Sequence, residues 1–263
     1  MFKHTFQSAR VALKGVVERN VHLQRFAFDV LYYCSFLLPH DSEYYGVTQL
    51  PLNPDDSIVD VGANMGLSAL GFRKLMPKVK ILSLEPNPIH MQALERIRRS
   101  DTNFDFRMVG VGDQATRVML YVPYYKSHPL HTFASLDRAA LELTCQSFYG
   151  PRFKHIRIEA VPVAIVTIDE LNVCPAFIKI DAEGSELGII KGALKTIQES
   201  RPYLLIENNP SSFPAVKRLL ENMGYRAVFW DCTRETFTSR ALNTRNIFLF
   251  PHERKSNSVV RAA

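Results

Sequence analysis

Cysteine is scarce in this chain: its 263 residues contain four, Cys34, Cys145, Cys174 and Cys232, far apart and forming no C-x-x-C pair. That pattern excludes a zinc knuckle or a disulfide framework and predicts buried thiols in a reducing compartment, hence a cytoplasmic protein. Long apolar runs are missing too. The stretch Val30 to Pro39 falls short of the ~20 residues that a bilayer span needs, so no transmembrane segment is predicted. The residues up to Asn20 carry basic side chains but no apolar signal core or small-residue cleavage site, so secretion is not expected. A dense basic stripe is also absent. Lys plus Arg total 32 against 26 for Asp plus Glu, a net +6, and the excess is scattered apart from Arg96, Arg98, Arg99 and the pair Arg254, Lys255. Nucleic acid is therefore not an expected partner. Repeats and low-complexity segments are lacking as well.

What is present is the balance of a globular domain, with 46% hydrophobic and 22% charged residues, enough chain for one large core. From Phe6 to Leu38 apolar residues recur at helical spacing, predicting amphipathic helices. Phe26, Phe28, Val30, Leu31, Tyr33 and Phe36 would pack on the main domain or a second subunit, or rest as a peripheral contact on a membrane surface beside Lys14 and Arg25. The expected organisation is a helical extension over 1–50, a main domain over 51–252 and a flexible tail over 253–263.

From Ser57 the pattern alternates. Strands are predicted at Ser57 to Gly62, Lys80 to Glu85 and Phe104 to Val111, with helices ending at Met76 and about Arg99 between them. Strand and helix in this rhythm require crossover connections, and so a parallel sheet with helices on both faces. Arg117 to Val122 reads as an extra strand, Pro123 to Ser135 as a variable loop, and Ile156 to Ile168 as another β-rich stretch. Ala176 to Asp181 and Tyr203 to Glu207 are further strands, flanking a helix over Ser185 to Gln198. A helix at Pro214 to Asn222 precedes Arg226 to Trp230 and Asn246 to Phe250, which suit the antiparallel edge of a mixed sheet.

The chemistry-bearing residues lie at the ends of these strands. Asp60-Val61-Gly62-Ala63-Asn64-Met65-Gly66 joins a strand to a helix start, where glycines let the backbone turn and free amides face a ligand. The spacing is not the G-x-G-x-x-G of dinucleotide binders, and Asp60 suits the amino-acid end of a sulfonium cofactor better than a pyrophosphate. Glu85 follows by about 20 residues, where a carboxylate accepts both hydroxyls of a ribose. Asp113, in Gly112-Asp113-Gln114, either reaches an adenine edge or serves a hairpin turn.

These residues resemble the FkbM-type methyltransferases. The likeness rests on Asp60 to Gly66 with Ser68, on Glu85-Pro86, on Thr167-Ile168-Asp169-Glu170-Leu171, on Ile178-Lys179-Ile180-Asp181-Ala182-Glu183-Gly184-Ser185-Glu186, and on Lys191-Gly192-Ala193. It covers roughly Ser57 to Asn208. The resemblance implies a class I, Rossmann-like α/β fold, a doubly wound, mostly parallel sheet with an antiparallel last strand. It also implies S-adenosyl-L-methionine as methyl donor and a hydroxyl on a sugar, glycan or other small-molecule secondary metabolite as acceptor. Asp60, Gly62, Asn64 and Gly66 would hold the donor's amino-acid end, Glu85 its ribose and Asp113 its adenine.

Asp181 and Glu207 end neighbouring strands and would orient the acceptor, with His131 or His128 in the variable loop as alternative bases for the hydroxyl proton. Glu183 and Glu186 stand either as further acids of the site or as helix-start decoration. Asp181 with Glu207-Asn208 also looks like the arrangement that holds Mg2+ in catechol O-methyltransferase, which makes Mg2+ a second ligand to test. Tyr44 and Tyr45 either cover the cofactor or pack. Two rival functions remain open, an NAD-dependent oxidoreductase and a non-catalytic S-adenosylmethionine-binding module.

Overall fold

The computed structural model describes Pro39 and residues 41–125, 128–130, 133–182 and 184–253. The expected N-terminal helical extension up to residue 38, His131, Glu183 and the tail from 254 onward lie outside the described residues. The chain divides into two compact units; the described residues of the smaller are 118–163, and 39–117 with 164–253 form the larger.

The larger unit is built on an eight-stranded sheet. In chain order its strands are β1 (Ser57–Val61), β2 (Lys80–Leu84), β3 (Phe104–Arg107), β8 (Phe177–Ile180), β9 (Tyr203–Glu207), β10 (Tyr225–Asp231), β11 (Thr236–Thr238) and β12 (Asn246–Pro251). Their spatial order is β11-β10-β12-β9-β8-β1-β2-β3. The run from β9 to β3 is parallel, and β12 enters antiparallel between β9 and β10. This is the expected mixed sheet, with the antiparallel strand inserted one place in from the β10–β11 hairpin.

Side chains alternate across the sheet. On one face Val59, Val61, Ile178, Ile180, Leu204, Ile206, Ile247 and Leu249 pack with Ile189, Ile190, Ile197, Val216 and Leu220. These last five belong to α4 (Glu186–Lys191), α5 (Leu194–Ser200) and α6 (Phe213–Asn222). Elsewhere aromatic rings pack edge-on or tilted in sequence, Tyr44 against Phe72 at 4.7 Å, Phe72 against Phe177 at 5.5 Å and Phe177 against Phe248 at 6.5 Å between ring centres. Phe72 lies in α1 (Leu67–Leu75), which follows β1; α2 (Met91–Ser100) follows β2 after a 3-10 turn at Pro88–His90. Tyr44 sits in a 3-10 helix over Ser42–Gln49 whose first residue is preceded by the cap Asp41.

Two elements differ from expectation for identifiable reasons. The helix predicted over Ser185 to Gln198 is α4 and α5, broken at Gly192, where an added Cβ would stand 2.0 Å from the carbonyl oxygen of Gly112. The strand predicted over Phe104 to Val111 ends at Arg107; β4 (Gly110–Val111) pairs instead with Ile165 and Val166 at the end of β7 (Ile156–Val166). Gly110 allows this approach, since a Cβ there would meet Ile165 at 2.5 Å.

In the smaller unit the predicted loop is a hairpin, β5 (Thr116–Tyr125, entering from the larger unit) against β6 (His128–Pro129), followed by an unanticipated helix α3 (Arg138–Tyr149). Leu130, Leu141, Cys145 and Tyr149 form its core with Phe133, Phe148, Phe153 and Ile156 around them. Of the cysteines expected to be buried, Cys145 is; Cys174 and Cys232 are exposed, and Cys34 lies outside the described residues. Among the described residues no helix is long and apolar enough to cross a membrane.

Candidate active site

The turn after β1 is held by its own backbone and by Glu85. Gly62, Asn64 and Gly66 all adopt positive φ, at 74°, 51° and 84°. Gly62 has no room for a side chain, because its Cβ would lie 1.9 Å from the Asp181 carbonyl oxygen. Glu85 accepts from the Asn64 amide at 2.7 Å through Oε2 and from the Asn87 amide at 2.9 Å through Oε1. Burial pushes the Glu85 carboxyl up to about 7, against the pull of these two amides and of Lys179. A buried acid tied only to amides keeps lone pairs on both oxygens for hydroxyl donors.

The Asp60 carboxylate is wholly buried, at 0% exposure. Its Oδ2 accepts from Ser68 Oγ at 2.6 Å and Ser83 Oγ at 3.0 Å, and its Oδ1 lies 3.3 Å from Lys179 Nζ. Asp60 therefore fixes the turn from inside the protein. Strand register explains the grouping: Ser83, Asp60 and Lys179 are aligned on β2, β1 and β8, and aligned residues on neighbouring strands share a face. Asp181 is two residues beyond Lys179, so the same face continues past the strand end, and Asp181 Oδ2 is 3.7 Å from Lys179 Nζ.

A second cation reaches Asp181 from far along the chain. Arg245 Nη2, just before β12, stands 3.3 Å from Asp181 Oδ2. The segment that carries it is gripped from two sides. The Arg245 amide donates to Glu43 Oε1 at 3.2 Å and the Asn246 side chain to Asp41 Oδ2 at 3.1 Å. Just past β9 the Asn208 amide donates to the Arg245 carbonyl at 2.8 Å and the Asn208 side chain to the Thr244 carbonyl at 3.1 Å. Asn208 thus braces the loop before β12 instead of joining Asp181. Burial, with Asp41 beside it, raises the Glu43 carboxyl to about 8. Tyr44 is buried against Phe72; burial and then the nearby carboxylates of Asp41, Asp181 and Asp60 lift its phenol well above the usual range.

Of the predicted residues, Asp60, Gly62, Asn64, Gly66 and Glu85 come together at the ends of β1 and β2, and Asp181 and Glu207 end β8 and β9 beside them. Asp113 is exposed just past β4, its amide 3.9 Å from where a Gly188 Cβ would be. His128 lies in β6 of the smaller unit. Glu186 is no surface decoration: at 0% exposure it accepts from the Gly184 amide at 2.8 Å and from Ser212 Oγ at 2.5 Å, pinning the loop that follows Asp181. Sequence reasoning missed the parts played by Lys179, Arg245, Asp41 and Glu43. Lys179 had a visible signal, a lysine inside the apolar run Phe177 to Ile180; the other three had none.

The residues do not fit Mg2+. Asp181, the acid such an ion would need, already faces two cations, Glu207 is joined by an Asn208 that points elsewhere, and no group of three or more His, Cys, Asp or Glu among the described residues could hold a metal.

A parallel sheet with an inserted antiparallel strand, a glycine turn after β1 and an acid after β2 define a Rossmann-like methyltransferase fold. The match to the methyltransferase FkbM domain covers residues 60–227. The chain belongs to that family. It is 25% identical over 216 residues to "Methyltransferase sdnD" of Sordaria araneosa, covering 73% of this chain and 79% of that one. The crystal structure of methyltransferase FkbM from Methylobacillus flagellatus KT superimposes with a TM-score of 0.52 at 20% identity over 78% of this chain. Only 47% of that larger chain is covered, so this protein spans about half its length. The protein is a methyltransferase, and its fold implies S-adenosylmethionine as the methyl donor. Asp41, Glu43, Arg245 and Asn246 all lie outside the matched stretch.

Proposed function

We propose that the protein transfers the methyl group of S-adenosylmethionine to a hydroxyl of a sugar, glycan or other small secondary metabolite. The observation that carries the donor part of this reading is Glu85: a buried carboxyl anchored by the amides of the glycine turn and of the next loop. With its proton affinity raised by burial, it gains from neighbours that stabilise its charge, and a pair of ribose hydroxyls does so.

Gly62, Asn64 and Gly66 would pass the backbone along the donor's amino-acid end, with Asp60 fixing them from below, and Asp113 would stand at the adenine. The bound sulfonium supplies an already activated methyl group. The protein's task is then to align the acceptor oxygen and receive its proton. Asp181, held by Lys179 and Arg245, would accept a hydrogen bond from the acceptor hydroxyl, and Glu207 would orient a second one. His131 remains a proposed alternative base. The acids at this sheet edge, Asp41, Asp181 and Glu207, outnumber the exposed cation Arg245, which supports an uncharged acceptor over a polyanion.

Calorimetric titration with S-adenosylhomocysteine and, separately, NAD tests the donor. Micromolar binding of S-adenosylhomocysteine alone, weakened at least tenfold in Glu85→Ala, is expected; tighter binding of NAD would overturn the proposal. Labelled S-adenosylmethionine offered with hydroxyl and amine acceptors of matched skeleton then tests the reaction. Label on the amine and not the hydroxyl contradicts oxygen as acceptor. Donor binding without label transfer in any screen, and an Asp181→Asn variant that keeps its cellular effect, would favour the non-catalytic module.

A further inference from the structure

Lys179 is a cation at the centre of the larger unit with 2% of its surface exposed. Burying an ammonium is unfavourable unless its donors are all used and its charge is compensated. Here the compensation is distributed in a particular way. Lys179 Nζ donates to the Gly62 carbonyl at 2.9 Å and lies 3.4 Å from the Val61 carbonyl and 3.3 Å from Asp60 Oδ1, all at the donor-side turn. Its remaining neighbour is Asp181 Oδ2, at 3.7 Å, on the acceptor side. Burial pulls this ammonium towards neutrality, and Asp60 and Asp181 together outweigh it, so its affinity for the proton ends above the usual value. One buried side chain thus touches both halves of the site.

A stabilising role alone would need only the Asp60 pair. The contact with the Gly62 carbonyl has a different consequence. At φ 74° this residue turns the chain where an added Cβ would strike the Asp181 carbonyl, so the two segments are within touching distance and either could shift the other. Lys179 fixes both: the carbonyl of one by hydrogen bond, the carboxylate of the other by charge.

We propose that Lys179 is a positioning residue that sets the donor-side turn and the Asp181 carboxylate against each other. The proposal rests on the donor reading above only for which ligand the turn holds. Removing the charge lets the Gly62 carbonyl and the Asp181 side chain relax independently, and the protein loses a preformed donor turn.

The test uses full-length protein in two variants. Lys179→Met leaves Asp60 buried without its cation and lowers the melting temperature; Lys179→Met with Asp60→Asn removes both charges, and the melting temperature returns to within a few degrees of wild type. In this recovered double variant, affinity for S-adenosylhomocysteine should stay at least tenfold below that of the Asp60→Asn single variant. Its crystal structure should show the Asp181 carboxylate moved away from the Gly62 carbonyl. Affinity equal to that of Asp60→Asn, or Gly62 and Asp181 in their wild-type places, would overturn the positioning role and leave Lys179 as a stability element. If wild-type protein binds no S-adenosylhomocysteine, the donor reading fails, and the crystal structure of the double variant alone decides the role of Lys179.

Discussion

The two halves of this site are built by opposite means. The half proposed to hold the donor comes mostly from one stretch, Asp60 to Asn87, and is shaped by backbone: three residues at positive φ and a carboxylate bonded to two amides. The half proposed to face the acceptor gathers Asp41 and Glu43, Asp181, Glu207 and Arg245 from four places in the chain and is joined by side chains and charge. Local geometry makes the first half intolerant of added atoms. The second is sensitive to lost charges and hydrogen bonds, each worth less because part of it is wet.

The sharpest way to break the donor half is Gly62→Ala. A side chain forced into the left-handed region and onto the Asp181 carbonyl should destabilise the protein by about 3 kcal/mol or more, read by urea denaturation, or prevent folding altogether. Stability within 1 kcal/mol of wild type, on the scale at which surface changes fall, would mean that the turn is far softer than described. The corresponding change on the acceptor half is Glu186→Ala, which strips the Gly184 amide and Ser212 of a buried partner. A loss of about 2 kcal/mol is expected, with S-adenosylhomocysteine affinity changed less than by Glu85→Ala.

Acidity separates the halves further. Glu85 and Glu43 both have raised carboxyl values, about 7 and about 8. The folded protein therefore holds protons that the unfolded chain releases near 4.5. The stability these two carboxyls contribute is fully present below that value and is lost as pH rises to about 7 for Glu85 and about 8 for Glu43. Denaturation at pH 5.5 and 8.5 should show the decline, flattened in part by Glu85→Gln and in part by Glu43→Gln. Ligand binding runs the other way for Glu85 alone: S-adenosylhomocysteine affinity should rise between pH 6 and 8 in wild type and in Glu43→Gln, and lose this dependence in Glu85→Gln. The smallest effect belongs to Arg245→Ala. Its side chain is 52% exposed, so stability should change by less than about 1 kcal/mol; a larger loss would show that the acceptor half is drier than its exposure indicates.

The same contrast explains what could be read from sequence. The strands Ser57–Val61 and Tyr203–Glu207, the glycine turn and Glu85 were legible because their signals are short-range: apolar runs, glycine at a strand end, an acid at a fixed spacing. Helix α3 escaped notice because its apolar positions serve a small local core and its start, Asp137, sits in a polar aromatic loop. The break at Gly192 depends on a carbonyl 80 positions earlier in the chain, and the arrival of Arg245 at Asp181 on a strand inserted out of order. Neither leaves a periodicity to detect.

That inserted strand has a consequence for how the protein comes into being. As the chain emerges from the ribosome, β1, β2 and their turn are available long before β12. The gap between β9 and β10 stays open until β12 arrives. Glu43 must wait for Arg245, 202 residues later. A nascent chain held just short of Asn246 therefore has the means to shape the donor turn while its acceptor wall is unbuilt and the facing edges of β9 and β10 lie open.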